Sequence, residues 1–385
     1  ALASSKDERQ AQQLWRAILN TKDAGNRLAP KLASSGMSEL AAQAGLRVAT
    51  EGRKEEALVA ALVPLSGQLM TPEQLTPARV AEIVAEVASK GDAHRGEKIY
   101  RRLDLACTTC HAIGGVGGKV GPDMTSLGAS APVDYIIESL FLPNAKIKEG
   151  FHSSVIATEE GQILTGIEVS SDEAETVLRT STNELVHIPT ADIVEKKNGV
   201  SLMPSGIVDR LPHQDQIDLI KFISSLGKQG DFDASRSGVA RRYEVLAGTH
   251  VLEQGGTDRI IDGSLTKGWQ PVHTYVNGSI DKQTLLDMTK PQVHVSLVHV
   301  YLRARFDTAA ERAVTFKLNN AKDVAVWIDG QSVKVQTGPE ENGVSPGSVE
   351  SKLSAGKHTL LIRLDAQSIP ETFSAFSPDV TFAVE

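Results

Sequence analysis

The sequence predicts a multidomain fold in three parts. These are an α-helical N-terminal segment over residues 1–90, a mainly α unit with a β insertion over 91–227, and an antiparallel β-sandwich over 238–385. Three observations predict it. Apolar residues recur at helical spacing up to about residue 90, the period changes to two within 152–199, and beyond a polar linker short β-rich runs alternate with turn residues. A chain of 385 residues is also long enough for two or three domains of about 100–200 residues each.

In the first segment, DERQAQQLWRAIL sets Leu14, Trp15, Ile18 and Leu19 on one helical face. KEEALVAALVPLSGQL and TPARVAEIVAEVASK continue the pattern, and Thr76-Pro77 is a helix start with proline in the first turn. Gly36, Gly52 and Gly67 punctuate these helices. No fixed period emerges, so a small bundle and a fragment of a HEAT-like helix-pair repeat remain equally open.

The central unit starts near Gly91 with the amphipathic DAHRGEKIYRRL, and PVDYIIESLFLPNAKI adds a helix ending near Pro143. Residues 152–199 are β-rich: Ile163, Thr165, Ile167 and Val169 alternate, and TVLRT and LVHI follow in the same way. HQDQIDLIKFISSLG is a helix that Gly227 is placed to stop. KQGDFDASRSG, residues 228–238, reads as a linker. Strand signals then dominate in YEVLAGT, HVSLVHVYLRARFD, AVTFKLNN, VAVWIDGQSVKV, GKHTLLIRLD and DVTFAVE, with a hairpin turn at Asp329-Gly330.

Composition bounds the function. Hydrophobic residues make up 41% and aromatics 4%, which implies aliphatic cores. The net charge of −8 and the lack of a clustered basic face argue against a nucleic-acid partner. No segment approaches the ~20 apolar residues of a membrane span. The opening ALASSKDERQ lacks the basic start and apolar run of a signal peptide, so either a leader has been removed or the chain is part of a longer polypeptide. Two cysteines exclude a multi-disulfide scaffold.

Both cysteines lie in ACTTCHAIGGVGGKVGPDMTSLG, residues 106–128. Four readings compete for CTTCH. A thioredoxin-like redox pair should follow a strand, but this motif follows a helix. A structural zinc site takes four Cys or His donors, and no second paired cluster is present. A plain disulfide is the third. Covalent haem attachment is the fourth, and the C-x-x-C-H spacing suits it. Its context is a chain with no other cysteine, a preceding helix carrying Gly96 and Tyr100, and a downstream helix carrying Leu219, Phe222, Ile223 and Leu226. A phosphate-cradling role for the glycine-rich loop lacks the GK[ST] ending.

The run GEKIYRRLDLACTTCHAIGGVGGKVGPDMTSLG, with DYIIESLFLPNAKIKEGF, SLMPSGIVDRL and QIDLIKFISSL downstream, resembles the haem-binding c-type cytochrome domain of planctomycetes and verrucomicrobia. The resemblance covers roughly 91–227 and implies a class I-like cytochrome c fold with one covalent haem c. Cys107 and Cys110 match the thioether cysteines, and His111 matches the proximal ligand. Gly121-Pro122 matches the loop past the proximal side, which makes Pro122 the candidate carbonyl acceptor for the histidine's second N–H. Met124 stands where the resemblance leads one to expect leucine. Proteins of this type often place the domain behind helical repeats and beside a dehydrogenase.

Met203, in SLMPSG, is the candidate distal ligand and matches the family's methionine; a core-filling methionine is the competing interpretation. Met124, His152, His187 and an open distal site are the rivals. The β insertion accounts for the long interval from His111 to Met203, either covering a haem edge or forming a docking face. His/Met ligation implies an electron carrier rather than an enzyme, serving a redox partner such as a dehydrogenase. The alternative is a peroxidase-like haem enzyme with an open distal site. Covalent haem attachment implies a periplasmic or exported protein.

VAVWIDGQSVKV and LSAGKHTLLIRLD are weakly similar to a hairpin and return strand of PA14-like and galactose-binding-like sandwiches. That implies a carbohydrate partner for the C-terminal domain, with Trp269, Trp327, Asp329 and Arg363 as the residues to watch. The competing interpretation puts Trp327 in the core and Asp329 in a turn. No nucleophile elbow, HExxH pair or Walker loop is present.

Overall fold

The computed structural model describes residues 2, 5, 8–21, 23–50, 56–65, 72–102, 104–290 and 296–383. Gly52, Gly67 and the ends of KEEALVAALVPLSGQL lie outside them. The chain is a multidomain mixture of helices and antiparallel sheets, and it divides into two compact units. One comprises residues Ala1–Ala112 and Gly117–Lys228; the other comprises Ile113–Val116 and Gln229–Glu385.

The first unit opens with helices α1 (Glu8–Leu19), α2 (Ala24–Leu32), α3 (Glu39–Thr50) and α4 (Glu56–Leu62). α1 packs on α3 and α2 on α4. Trp15 organises this layer: it is fully buried, its indole N–H donates to Ala41 O at 2.8 Å, and Gly45 leaves room for the ring. Helix α5 (Pro77–Lys90) starts as expected, with the Thr76 hydroxyl accepting from the Arg79 amide and proline in the first turn.

Beyond α5, α6 (Ala93–Tyr100), the one-turn α7 (Cys107–Cys110), α8 (Leu127–Ser130), α9 (Val133–Phe141) and α10 (His213–Ile223) follow. A small hairpin of β1 (Ala112–Ile113) and β2 (Val116–Gly117) comes after α7. α5 packs on α9 and α10, so it contacts the helices of the central segment. The closest crossing is α6 on α10. A Cβ at Gly96 would stand 1.9 Å from Asp218 O, so only glycine permits this approach. Tyr100 and Phe222 meet across it with ring centroids 5.3 Å apart. The regular part of α10 ends at Ile223, and Gly227, with φ +77°, closes the turns that follow rather than the helix itself.

Residues 152–199 form an antiparallel sheet of β3 (Ser153–Thr158), β4 (Ile163–Ser171), β5 (Glu175–Arg179), β6 (Leu185–Pro189) and β7 (Ile193–Asn198). Its order is β6-β5-β4-β3-β7, with Ile156, Leu178 and Ile188 as its own buried cluster.

The second unit contains β8 (Arg242–Thr249), α11 (His250–Gln254), α12 (Asp258–Ile261), β9 (Gln270–His273), β10 (Ile280–Asp281), α13 (Lys282–Met288), β11 (Leu297–Thr308), β12 (Arg312–Leu318), β13 (Val324–Ile328) and β14 (Gln331–Val333). After these come β15 (Val335–Thr337), β16 (Gly347–Leu353), β17 (Gly356–Asp365), β18 (Thr372–Phe373), β19 (Ala375–Phe376) and β20 (Thr381–Phe382). One sheet runs β14-β13-β17-β11-β8-β9 with β20 beside β11; a second runs β15-β16-β12-β19. Alternate residues of β11 and β17, including Leu302, Phe306 and Ile362, share a core with Phe316 of β12 and Val349 of β16. The hairpin at Asp329-Gly330 has φ +49° and +77°, the left-handed pair that a two-residue turn demands.

Candidate functional site

The site grows from the α7 turn. Ala106 enters it with a left-handed φ of +54°, and the His111 amide closes it on Cys107 O at 2.9 Å. A spacing of three places Cys107 and Cys110 on one face of the turn. Both cysteines are free and half-buried. Burial, and then the neighbouring Cys110, pushes the Cys107 thiol up to about 12; burial raises Cys110 as well. Both sulfurs are therefore protonated at neutral pH, unlike the activated thiolate of a redox pair.

His111 leaves the turn in an extended conformation, and its Nδ1 lies 2.8 Å from Pro122 O. A carbonyl can only accept, so Nδ1 carries the proton and Nε2 keeps the lone pair. Burial lowers the pKa of His111, with Pro122 O and Asp123 opposing it. A neutral imidazole with its proton held on Nδ1 has the Nε2 lone pair that a metal ligand needs.

The glycine-rich loop makes that contact possible. The Gly118 amide donates to Thr108 O at 3.0 Å, and the Gly121 amide to Cys110 O at 2.8 Å. A Cβ at Gly121 would meet His111 Cε1 at 2.4 Å, so the residue before Pro122 must be glycine for the loop to pass the ring. Met124 is buried on this same loop, its amide bonded to Ala112 O at 2.8 Å. The hydroxyl of Tyr100 is buried with no hydrogen-bond partner among the described residues, and burial raises its pKa. An orphaned polar group beside two unbridged thiols suits a site meant to hold a further group.

Met203 is half-buried on the loop that precedes α10. Its amide bonds Ser201 Oγ at 3.1 Å, and the Ser201 amide bonds Asn144 Oδ1 at 2.9 Å. Gln216 of α10 donates to Val208 O and Leu211 O, both at 3.1 Å, and fixes the far end of the loop. The structure thus brings His111 and Pro122 together and sets Met203 on a separately anchored segment. His152 is exposed, and His187 is an exposed strand histidine paired with Glu175.

Sequence reasoning missed Asn183, Gln216 and Asp218. Asp218 carried a signal: a carboxylate between Ile217 and Leu219, one turn before Phe222 on the buried stripe of α10. It is buried and accepts from the Asp92 amide, Arg95 and Gln214.

In the second unit the residues singled out for carbohydrate are engaged internally. Arg303 lies over Trp269, whose indole N–H bonds Leu265 O. Arg363 lies 5.6 Å from the Trp327 ring, and Asp329 binds His358 at 2.6 Å. Trp269 and Trp327 pack with Leu246, Tyr301 and Leu361 on the sheet face away from the main core.

Among the described residues no three His, Cys, Asp or Glu side chains stand where they could share a metal ion, so α7 lacks the further donors of a zinc site. No helix among them is long and apolar enough to cross a membrane. No protein-family model matches the chain, and comparison with curated proteins gives no significant match.

Proposed function

We propose that the chain carries one covalently attached haem c and acts as a one-electron carrier, with His111 and Met203 as axial ligands and residues 91–227 as a class I-like cytochrome c domain. The observation that carries this reading is the 2.8 Å contact of His111 Nδ1 with Pro122 O, directly beside two free, protonated thiols.

Each residue has a defined task. Cys107 and Cys110 would hold the haem through two thioether bonds, and the addition of S–H across a double bond that forms such a bond is redox-neutral and calls for no further reactant. His111 would offer Nε2 to the iron, while Pro122 holds the proton on Nδ1 and so makes the ring the better donor. Met203 would supply the second protein ligand. With His111 and Met203 both bound to it, the haem would supply an Fe(III)/Fe(II) couple, and methionine ligation would raise its potential. Gly121 and Gly118 keep the proximal loop close, and the α6–α10 crossing at Gly96 holds the unit together. The reading entails haem attachment outside the cytoplasm and a redox partner protein, with a dehydrogenase as the proposed donor.

The test is spectroscopic. The pyridine haemochrome of protein from a maturation-competent host should show one haem with two saturated side chains. The ferric protein should be low-spin with the weak charge-transfer band of a methionine ligand. Met203→Ala should remove that band and leave the haem attached. A colourless protein overturns the reading; a high-spin ferric spectrum replaces it with a peroxidase-like enzyme whose distal site is open.

A further inference from the structure

The five-stranded insertion reaches the proximal loop at Asn183. Asn183 sits in the β5–β6 turn with a left-handed φ of +67°, and its side-chain Oδ1 accepts from the Lys119 amide at 3.2 Å. The same oxygen accepts from Arg179 Nη1 at 3.2 Å, which fixes the rotamer from the strand side. The turn itself is closed by the Asn183 amide on Thr180 O and the Thr180 amide on Glu184 O.

Lys119 lies between Gly118 and Gly121, both of which touch the motif. Gly118 and Gly121 donate inward to Thr108 O and Cys110 O, whereas Lys119 donates outward to Asn183. Neither position has room for a side chain: a Cβ would stand 1.7 Å from Thr109 O at Gly118 and 2.4 Å from the His111 ring at Gly121. Val120, between them, is buried. The segment is therefore gripped from both sides, and Pro122 O, three residues after Lys119, is the atom that fixes the His111 tautomer.

We infer that Asn183 is a positioning residue for the proximal ligand: the insertion clamps the Lys119–Pro122 loop so that the Pro122 carbonyl stays on His111 Nδ1. This rests on the haem reading for its redox consequence, though not for the clamp itself. A strong Nδ1–H···O=C bond makes the imidazole a better donor and favours ferric iron, so loosening the clamp shifts the potential upward. Asparagine suits the site because it tolerates left-handed backbone and offers a short side-chain acceptor.

Two variants of the full chain separate contact from backbone. Asn183→Gly keeps the left-handed turn and loses the acceptor; Asn183→Asp keeps both. In Asn183→Gly the Lys119 amide should exchange with solvent several-fold faster and the His111 Nδ1–H resonance should shift and broaden. The reduced-to-oxidised ratio at a fixed applied potential should rise several-fold. Asn183→Asp should restore Lys119 protection and the His111 resonance; its added charge excludes it from the potential measurement. Unchanged Lys119 exchange in Asn183→Gly overturns the clamp. Faster Lys119 exchange with an unmoved His111 resonance and potential overturns the positioning role. If the wild-type chain binds no haem, the carrier reading fails, and the two resonances measured on the haem-free chain still decide the inference.

Discussion

The buried carboxylate of Asp218 holds the guanidinium of Arg95 through two hydrogen bonds, Nε to Oδ2 at 2.8 Å and Nη2 to Oδ1 at 3.2 Å. The same carboxylate accepts the Asp92 amide at 2.8 Å, so one side chain of α10 fixes the start of α6. Burial raises the pKa of Asp218, but Arg95, the Asp92 amide and Gln214 outweigh it and hold the group below the ordinary carboxylate range. The stabilisation is therefore present above the unfolded-state pKa and is lost as pH falls through the folded-state value. Asp218→Ala should destabilise the first unit by about 2 kcal/mol, since a buried amide loses its acceptor. Asp218→Asn should flatten the acid limb of the stability profile. Urea unfolding at a series of pH values reads both effects.

Gly96→Ala tests the helix crossing. Alanine gains up to about 1 kcal/mol in helix propensity. Against that, its Cβ would stand 1.9 Å from the Asp218 carbonyl, and forcing α6 and α10 apart costs about 1–3 kcal/mol. Net destabilisation is expected, visible as a lower urea midpoint at unchanged slope. A neutral or stabilised variant would show that the crossing is looser than this approach requires.

Gly121→Ala acts at the proposed ligand. The added methyl meets the His111 ring at 2.4 Å, so the ring or the Pro122 carbonyl must move. The haem-loaded fraction should fall several-fold relative to wild type, measured as haemochrome absorbance per chain. Gly255→Ala is the control, because Leu252 O is the nearest neighbour there at an ordinary 3.6 Å.

His358 gives the second unit an opposite pH dependence. It is buried, with Nδ1 on Asp329 Oδ2 at 2.6 Å and Nε2 near Thr308 Oγ1 and Ser354 O at 3.1 and 3.0 Å. Burial lowers its pKa, but the Asp329 hydrogen bond and the Ser354 carbonyl outweigh this and raise it. The contribution is complete below the unfolded value of about 6.5 and is lost as pH climbs through the raised folded value. Thermal unfolding followed at the 324–333 hairpin should show falling stability from slightly acid to mildly alkaline buffer. His358→Asn should abolish that slope.

Legibility in the sequence followed the range of the interaction. Thr76-Pro77 and Asp329-Gly330 were readable because the signal is local: a cap and a turn are decided within four residues. The strands of the insertion were readable from alternation. α11, α12 and α13 were not, because helices of 4–7 residues are set by tertiary contacts rather than by a periodic face. β16 escaped notice because Val349 and Leu353 are its only strongly apolar inward residues. At the site, Cys107, Cys110 and His111 announce themselves by spacing, whereas Asn183 lies 64 positions from the amide it binds. An asparagine in a polar turn carries no mark of a partner so far away.

The two sulfhydryls of α7 are also the whole thiol content of the chain. Maleimide uptake by the denatured protein is therefore a stoichiometric gauge of that one turn. An unmodified polypeptide takes up two labels and a fully cross-linked one takes up none. A single label marks an incomplete attachment and, after peptide mapping, names the sulfur left behind.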